Sequence, residues 1–159
     1  NPYSMSKWMG EQICKLYNQL YGVPSITLRY FNVYGPREPI KGEYAPVIGL
    51  FKRQSKNNEF MTIVAPGTQR RDFTYIEDVV EANILAMKSS TTDIPFNIYN
   101  VGTGKNHSMM EIAEMIGGES TVIPSRPAEV QETLADISGT IKDLGWSPKY
   151  TLEEKIMSY

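Results

Sequence analysis

With 159 residues, 41% of them hydrophobic and 21% charged, the chain holds enough apolar material for one domain with a real core and too little for two comfortable ones. Sixteen basic against 18 acidic side chains leave a net charge of -2, which excludes an electrostatic footprint for nucleic acid or an anionic membrane, so individual arginines must meet any anionic ligand. The single Cys14 excludes an internal disulfide and the single His107 leaves too little for a Cys/His metal site; no apolar run approaches the roughly 18 residues of a membrane span, so a cytoplasmic, metal-free protein is expected.

In chain order, residues 3 to about 21 are predicted to be helical, because Met5, Met9, Ile13, Leu16, Tyr17 and Leu20 recur at three- and four-residue spacing and form one apolar stripe. Tyr3 and Lys7 lie about 40° apart on the shoulder of that stripe, beside Gly10 and Cys14. Gly22 is placed to end the helix and Pro24 prevents a restart. Residues 25–31 are β-branched and aromatic, hence a strand, which Asn32-Val33-Tyr34-Gly35-Pro36-Arg37 breaks. A loop at 38–48, a helix from Val47 to about Ser55 and a short strand at 61–64 come next.

Three helix starts carry the capping-box pattern, Thr74 with Glu77, Ser108 with Glu111 and Thr151 with Glu154. The first is expected to open a mostly buried helix containing Val79, Val80, Ala82, Ile84, Leu85 and Met87; the second a helix ended by Gly117-Gly118. Strands are expected at 96–101 and 121–123, and Asp136 is placed to cap a short helix running to Leu144 and stopped by Gly145. Helices and strands alternate without an internal repeat, which is an α/β pattern. No G-x-G-x-x-G occurs, and Gly102-Thr103-Gly104 fits a strand-to-loop turn. The start Asn1-Pro2-Tyr3 leads straight into a helix and is read as the C-terminal part of a longer polypeptide.

Taken alone, Tyr3-x-x-x-Lys7 fits an ordinary helix shoulder as well as a proton-transfer device in which an ammonium favours phenolate over phenol. It is followed in order by Leu28-Arg29-Tyr30-Phe31-Asn32-Val33-Tyr34-Gly35-Pro36-Arg37, then Gln69-Arg70-Arg71-Asp72-Phe73-Thr74-Tyr75-Ile76-Glu77-Asp78-Val79 and Asn100-Val101-Gly102-Thr103-Gly104. Arg126-Pro127-Ala128-Glu129, Leu134-Ala135-Asp136-Ile137-Ser138 and Leu144-Gly145-Trp146-Ser147-Pro148 complete the series. Together these motifs resemble the extended short-chain dehydrogenase/reductase family, in particular its nucleotide-sugar epimerases and most of all its UDP-hexose 4-epimerases, over essentially the whole chain.

The resemblance implies an α/β fold: the last part of a Rossmann-type sheet at 1–35 and 74–108, a small α/β nucleotide-sugar-binding domain at 36–73 and 109–159, and no N-terminal Rossmann half. It implies NAD as cofactor and epimerisation of a nucleotide sugar, UDP-glucose/UDP-galactose at C4 through a 4-keto intermediate, with the fragment itself inactive. Tyr3 would be the catalytic base, Lys7 would hold the nicotinamide ribose and favour the phenolate, and Phe31 would line the nicotinamide pocket with its backbone. Asn32 would bond the diphosphate region, Thr62 and Ile63 would meet the uracil as an edge-strand contact, and Arg71 and Arg126 would grip the diphosphate. The helix of Tyr3 and Lys7 would pair two subunits in a homodimer.

Other branches share the Tyr/Lys pair: ADP-heptose 6-epimerase (to which Arg37-Glu38-Pro39-Ile40-Lys41-Gly42 is also similar), UDP-glucuronate decarboxylase and dTDP-glucose dehydratase. A non-catalytic nucleotide-sugar-binding module is the reading from a different class. Without the resemblance, Asn32 fits a turn cap, Arg70 and Arg71 a solvated loop, and Arg126 a surface residue before Pro127. Asp72 and Asp78 read as capping or salt-bridging groups, His107 as a loop residue near a helix start, Cys14 as helix packing, and Trp8 and Trp146 as packing anchors.

Overall fold

Gly22, at φ 65°, turns the chain out of its first helix and gives its N–H to the Asn18 carbonyl, the αL stop the sequence announces. The computed structural model describes residues 2–42, 45–89, 96–125 and 129–159. The elements are α1 (Pro2–Tyr21), β1 (Ser25–Tyr30), β2 (Val33–Tyr34), α2 (Val47–Lys56), β3 (Met61–Val64), β4 (Arg70–Asp72) and β5 (Thr74–Tyr75). They continue with α3 (Ile76–Lys88), β6 (Phe96–Val101), β7 (Asn106–Ser108), α4 (Met109–Ile116), β8 (Ser120–Ile123), α5 (Ser138–Leu144) and α6 (Leu152–Lys155).

The strands pair two by two: β1 with β6, β2 with β5 and β3 with β8 are parallel, and β4 with β7 is antiparallel. Each parallel pair needs a crossover, and the intervening helices supply it. In β1 the side chains alternate: Arg29 reaches α1, whereas Ile26 and Leu28 join the apolar cluster of α3.

Two apolar clusters form. One gathers Ile48 and Phe51 of α2, Met61 and Ile63 of β3, Ile112 and Ile116 of α4, and Leu152 and Ile156 around α6. Both capping boxes that frame it, Ser108 with Glu111 and Thr151 with Glu154, are present as the sequence predicts. The other cluster joins Val79, Ala82 and Ala86 of α3 to Tyr99 and Val101 of β6 and to Leu144 and Trp146.

Three expectations need correction. The capping box at Thr74 does not form: Thr74 is drawn into the ladder opposite Val33, its hydroxyl donates to the Val101 carbonyl, and Tyr75 precedes the helix without a side-chain cap. The helix α3 is not mostly buried, since Val80, Ile84 and Met87 face outward, Met87 at 83% exposure. Within the span 109–159 that the resemblance assigns to the nucleotide-sugar-binding part, Ile137, Leu144 and Trp146 pack against α3 and β6. Trp146 is buried and donates its indole N–H to the Asp78 carbonyl, but Trp8 is exposed and lines an open cavity beside α1 rather than a core.

Asp78 neither caps nor bridges. Its buried carboxylate accepts the backbone N–H groups of Lys149 and Tyr150, and burial, the larger influence, pushes its pKa up. It ties the segment after α5 to the start of α3.

Candidate active site

The helix α1 carries Tyr3 and Lys7 one turn apart, and both emerge on the same face, with the Lys7 Nζ 5.3 Å from the centre of the Tyr3 ring. That face borders an open cavity of about 1020 Å³, lined also by Phe31, Asn32, Val33 and Thr133. Phe31 arrives there because the β1–β6 ladder extends one residue past Tyr30, with the Phe31 N–H on the Val101 carbonyl at 3.0 Å. The site therefore lies at the carboxyl end of a parallel strand pair, where open α/β sheets receive ligands. Among the described residues no helix is long and apolar enough to cross a membrane, and no group of three His, Cys, Asp or Glu could hold a metal ion.

Asn32 is held on both sides: its Nδ2 donates to the Asp72 carbonyl at 2.8 Å, and its own carbonyl accepts the Thr74 N–H at 3.2 Å. The Asp72 carboxylate is fully buried and belongs to neither role the sequence suggests, cap or salt bridge. It accepts the N–H and the hydroxyl of Thr103, the N–H of Gly104 and the N–H of Ala135, at 2.7 to 3.1 Å. The amides of Thr103 and Gly104 in this turn are thus committed to Asp72 and not to a phosphate. A Cβ on Gly102 would come within 2.3 Å of the Ala135 Cβ, so this glycine serves close packing.

Arg70 and Arg71 part company. Arg70 makes four bonds, two to Asn106 and two to the Glu111 carboxylate, and so ties β4 to β7 and α4. Arg71 has its side chain largely buried and donates to Glu129 Oε1 at 2.6 Å and to the Arg70 carbonyl at 2.9 Å. Arg71 reaches the cavity only through its neighbours: Asp72 follows it and holds Asn32, and the Arg70 carbonyl accepts the N–H of the cavity residue Thr133. Arg126 lies outside the described residues.

Thr62 and Ile63 sit on β3, away from the cavity lining. The Thr62 N–H donates to Gln54 Oε1 and its hydroxyl accepts from Gln54 Nε2, so α2 already occupies its edge; the Ile63 side chain is buried in the core. His107 lies on β7 rather than in a loop, between Glu111 and Glu153, each 3.8 Å away. Cys14 is partly buried on the cavity face of α1.

Sequence reasoning missed the Glu11–Arg29 ion pair, which lines the same cavity, and the Glu129 partner of Arg71. The spacing Tyr3-x-x-x-Lys7-x-x-x-Glu11 puts the Glu11 carboxylate on the next turn of the same face, but it does not point to Arg29 as the partner.

The NAD dependent epimerase/dehydratase family model matches residues 1–102. A Methanocaldococcus jannaschii protein provisionally named UDP-glucose 4-epimerase is 40% identical over 98% of this chain and 51% of its own length. The crystal structure of a Thermotoga maritima UDP-glucose 4-epimerase with UDP-glucose superposes with a TM-score of 0.91 at 32% identity, over 98% of this chain and 50% of that one. A Bacillus cereus UDP-glucuronic acid 4-epimerase, solved with UDP-glucuronic acid and NAD, gives a TM-score of 0.88 at 30% identity over 98% and 50%. The chain spans about half the length of the curated relatives it matches.

Proposed function

The chain belongs to the NAD dependent epimerase/dehydratase family, and from that premise we propose that the intact protein is an NAD-dependent nucleotide-sugar epimerase acting on a UDP-hexose at C4. The observation that carries the reading is the shared face of Tyr3 and Lys7 on a cavity bordered by Phe31 and Asn32. A phenol and an ammonium side by side, with main chain at the strand end opposite, form a donor set suited to the hydroxyls of a ribose and to a carboxamide, which fits NAD. When bound, NAD supplies the redox chemistry; the protein supplies orientation and proton transfer.

In this reading Tyr3, as phenolate, takes the proton from the sugar 4-hydroxyl oxygen and returns it to that oxygen after the sugar has turned, and Lys7 stabilises the phenolate charge. The hydrogen on C4 would leave one face and return on the other through the redox chemistry that NAD supplies. Inversion requires the hexose to turn while its nucleotide stays fixed. Arg71, released in part from Glu129 or shared with it, would therefore grip the diphosphate together with Arg126, and Asn32 would bond the same region. Thr62 and Ile63 would meet the uracil along the edge of β3 once the Gln54 side chain, which holds the Thr62 N–H and hydroxyl, gives way there. Pairing of two subunits through α1 agrees with the exposed stripe of Met5, Met9, Leu16 and Leu20.

The test is to incubate the intact protein with UDP-galactose and, separately, UDP-glucuronate, and to follow the C4 epimers. Interconversion of UDP-galactose with UDP-glucose is expected, and Tyr3→Phe should lower kcat about 10²- to 10⁴-fold. An intact protein that binds the nucleotide sugar and NAD but converts neither substrate is a binding module instead.

A further inference from the structure

Glu11 is the one buried residue among those described on α1, and it is not apolar. Its carboxylate meets the Arg29 guanidinium in a two-bond fork, Nε to Oε1 and Nη2 to Oε2, each at 2.6 Å. The large apolar side chains of the α1 stripe, Met5, Met9, Ile13, Leu16 and Leu20, are all exposed. Glu11 follows Lys7 by four residues and Tyr3 by eight, so the three side chains climb one face at about 40° per step. Arg29 shares its strand with the approach to Phe31 and Asn32, and all six residues line the one cavity.

We propose that the Glu11–Arg29 fork is a positioning device that sets the roll of α1 on β1 and so aims the Tyr3 hydroxyl and the Lys7 ammonium at the strand end. The proposal rests on the reading of this cavity as an epimerase centre. Two parallel bonds fix rotation as well as distance, which a single contact does not. The geometry makes roll the sensitive variable: turning a helix by about 10° moves a side-chain tip ~6 Å from the axis by about 1 Å. A misplacement of that size at a reacting centre lowers rate by on the order of 10²-fold. Arg29 also holds the Glu11 carboxyl below its usual range, chiefly through the hydrogen bonds, so the pair stays ionised at neutral pH. Neither side chain takes or gives a proton in this role.

The experiment uses the intact protein, with kinetics of UDP-galactose conversion across pH and amide hydrogen exchange along α1. Glu11→Gln keeps the size and breaks the charged fork. It should lower kcat about 10- to 100-fold with KM within about twofold, move the acid limb of the kcat profile to higher pH, and speed exchange along α1. Arg29→Lys, which keeps both charges but loses the fork, should do the same, and the exchanged pair Glu11→Arg with Arg29→Glu should recover most of kcat. An active wild type whose Glu11→Gln variant keeps the wild-type kcat, pH profile and exchange overturns the proposal and leaves the epimerase reading intact. Should Glu11→Gln fail to fold, a wild-type profile in Arg29→Lys overturns it equally. An intact wild type without conversion overturns both.

Discussion

Ile112 and Leu20 each sit on the apolar stripe of an amphipathic helix, yet Ile112 is 0% exposed and Leu20 61%. The region around α4 finds all its partners within the chain: α2, β3 and α6 close over the stripe from three sides. The region around α1 and α3 does not, and Met9, Leu20 and Met87 stay bare beside an ion pair that holds the helix. Periodicity reveals that a stripe exists but not what covers it. In this molecule the covered region supports the fold and the uncovered one carries the candidate chemistry, with Tyr3 itself 70% exposed.

That contrast can be broken by substitution. Ile112→Ala should destabilise the chain by about 2–5 kcal/mol, the sum of lost transfer free energy and a cavity, read as a lower denaturant midpoint. A change below about 1 kcal/mol would mean that the α4 region is not closed. A smaller effect should appear in the acid limb of stability. Hydrogen bonds from Arg70 hold the Glu111 carboxyl below its ordinary value of 4.5, so its contribution is present above that value and is lost as pH falls through the lowered folded one. Glu111→Gln should therefore flatten stability below about pH 4.5, by well under 1 kcal/mol because the side chain is 42% exposed. Smallest of all is Leu20→Lys, which should leave the denaturant midpoint within about 0.5 kcal/mol while reducing self-association measured by sedimentation. A large loss of stability there would place α1 in a core after all.

Local signals made much of the fold legible. Gly22, Gly117 and Gly145 stop helices as read, and Ser108 and Thr151 cap them, because each acts within four residues of itself. The strands β2, β4, β5 and β7 escaped, since two or three residues carry no period and owe their conformation to distant partners. Thr74 shows the cost of reading locally: its capping pattern is intact, but Val33, 41 positions earlier, draws it into a ladder. At the cavity, Tyr3, Lys7, Phe31 and Asn32 were legible because motifs name them, and they line one space. The supports were not: Glu11 meets Arg29 across 18 positions and Asp72 meets Ala135 across 63, and no spacing rule connects such pairs.

The Asp72 carboxylate collects donors from positions 31, 32 and 63 residues further along the chain. Closing loops of that length costs chain entropy, and a polar knot among them has nothing to grasp until the flanking layers have met. Such a knot is expected to form after the layers it joins, so Asp72→Asn should speed unfolding more than it slows folding. A cavity wall fastened in this way would gain persistence over time with little change in how quickly the polypeptide finds its shape.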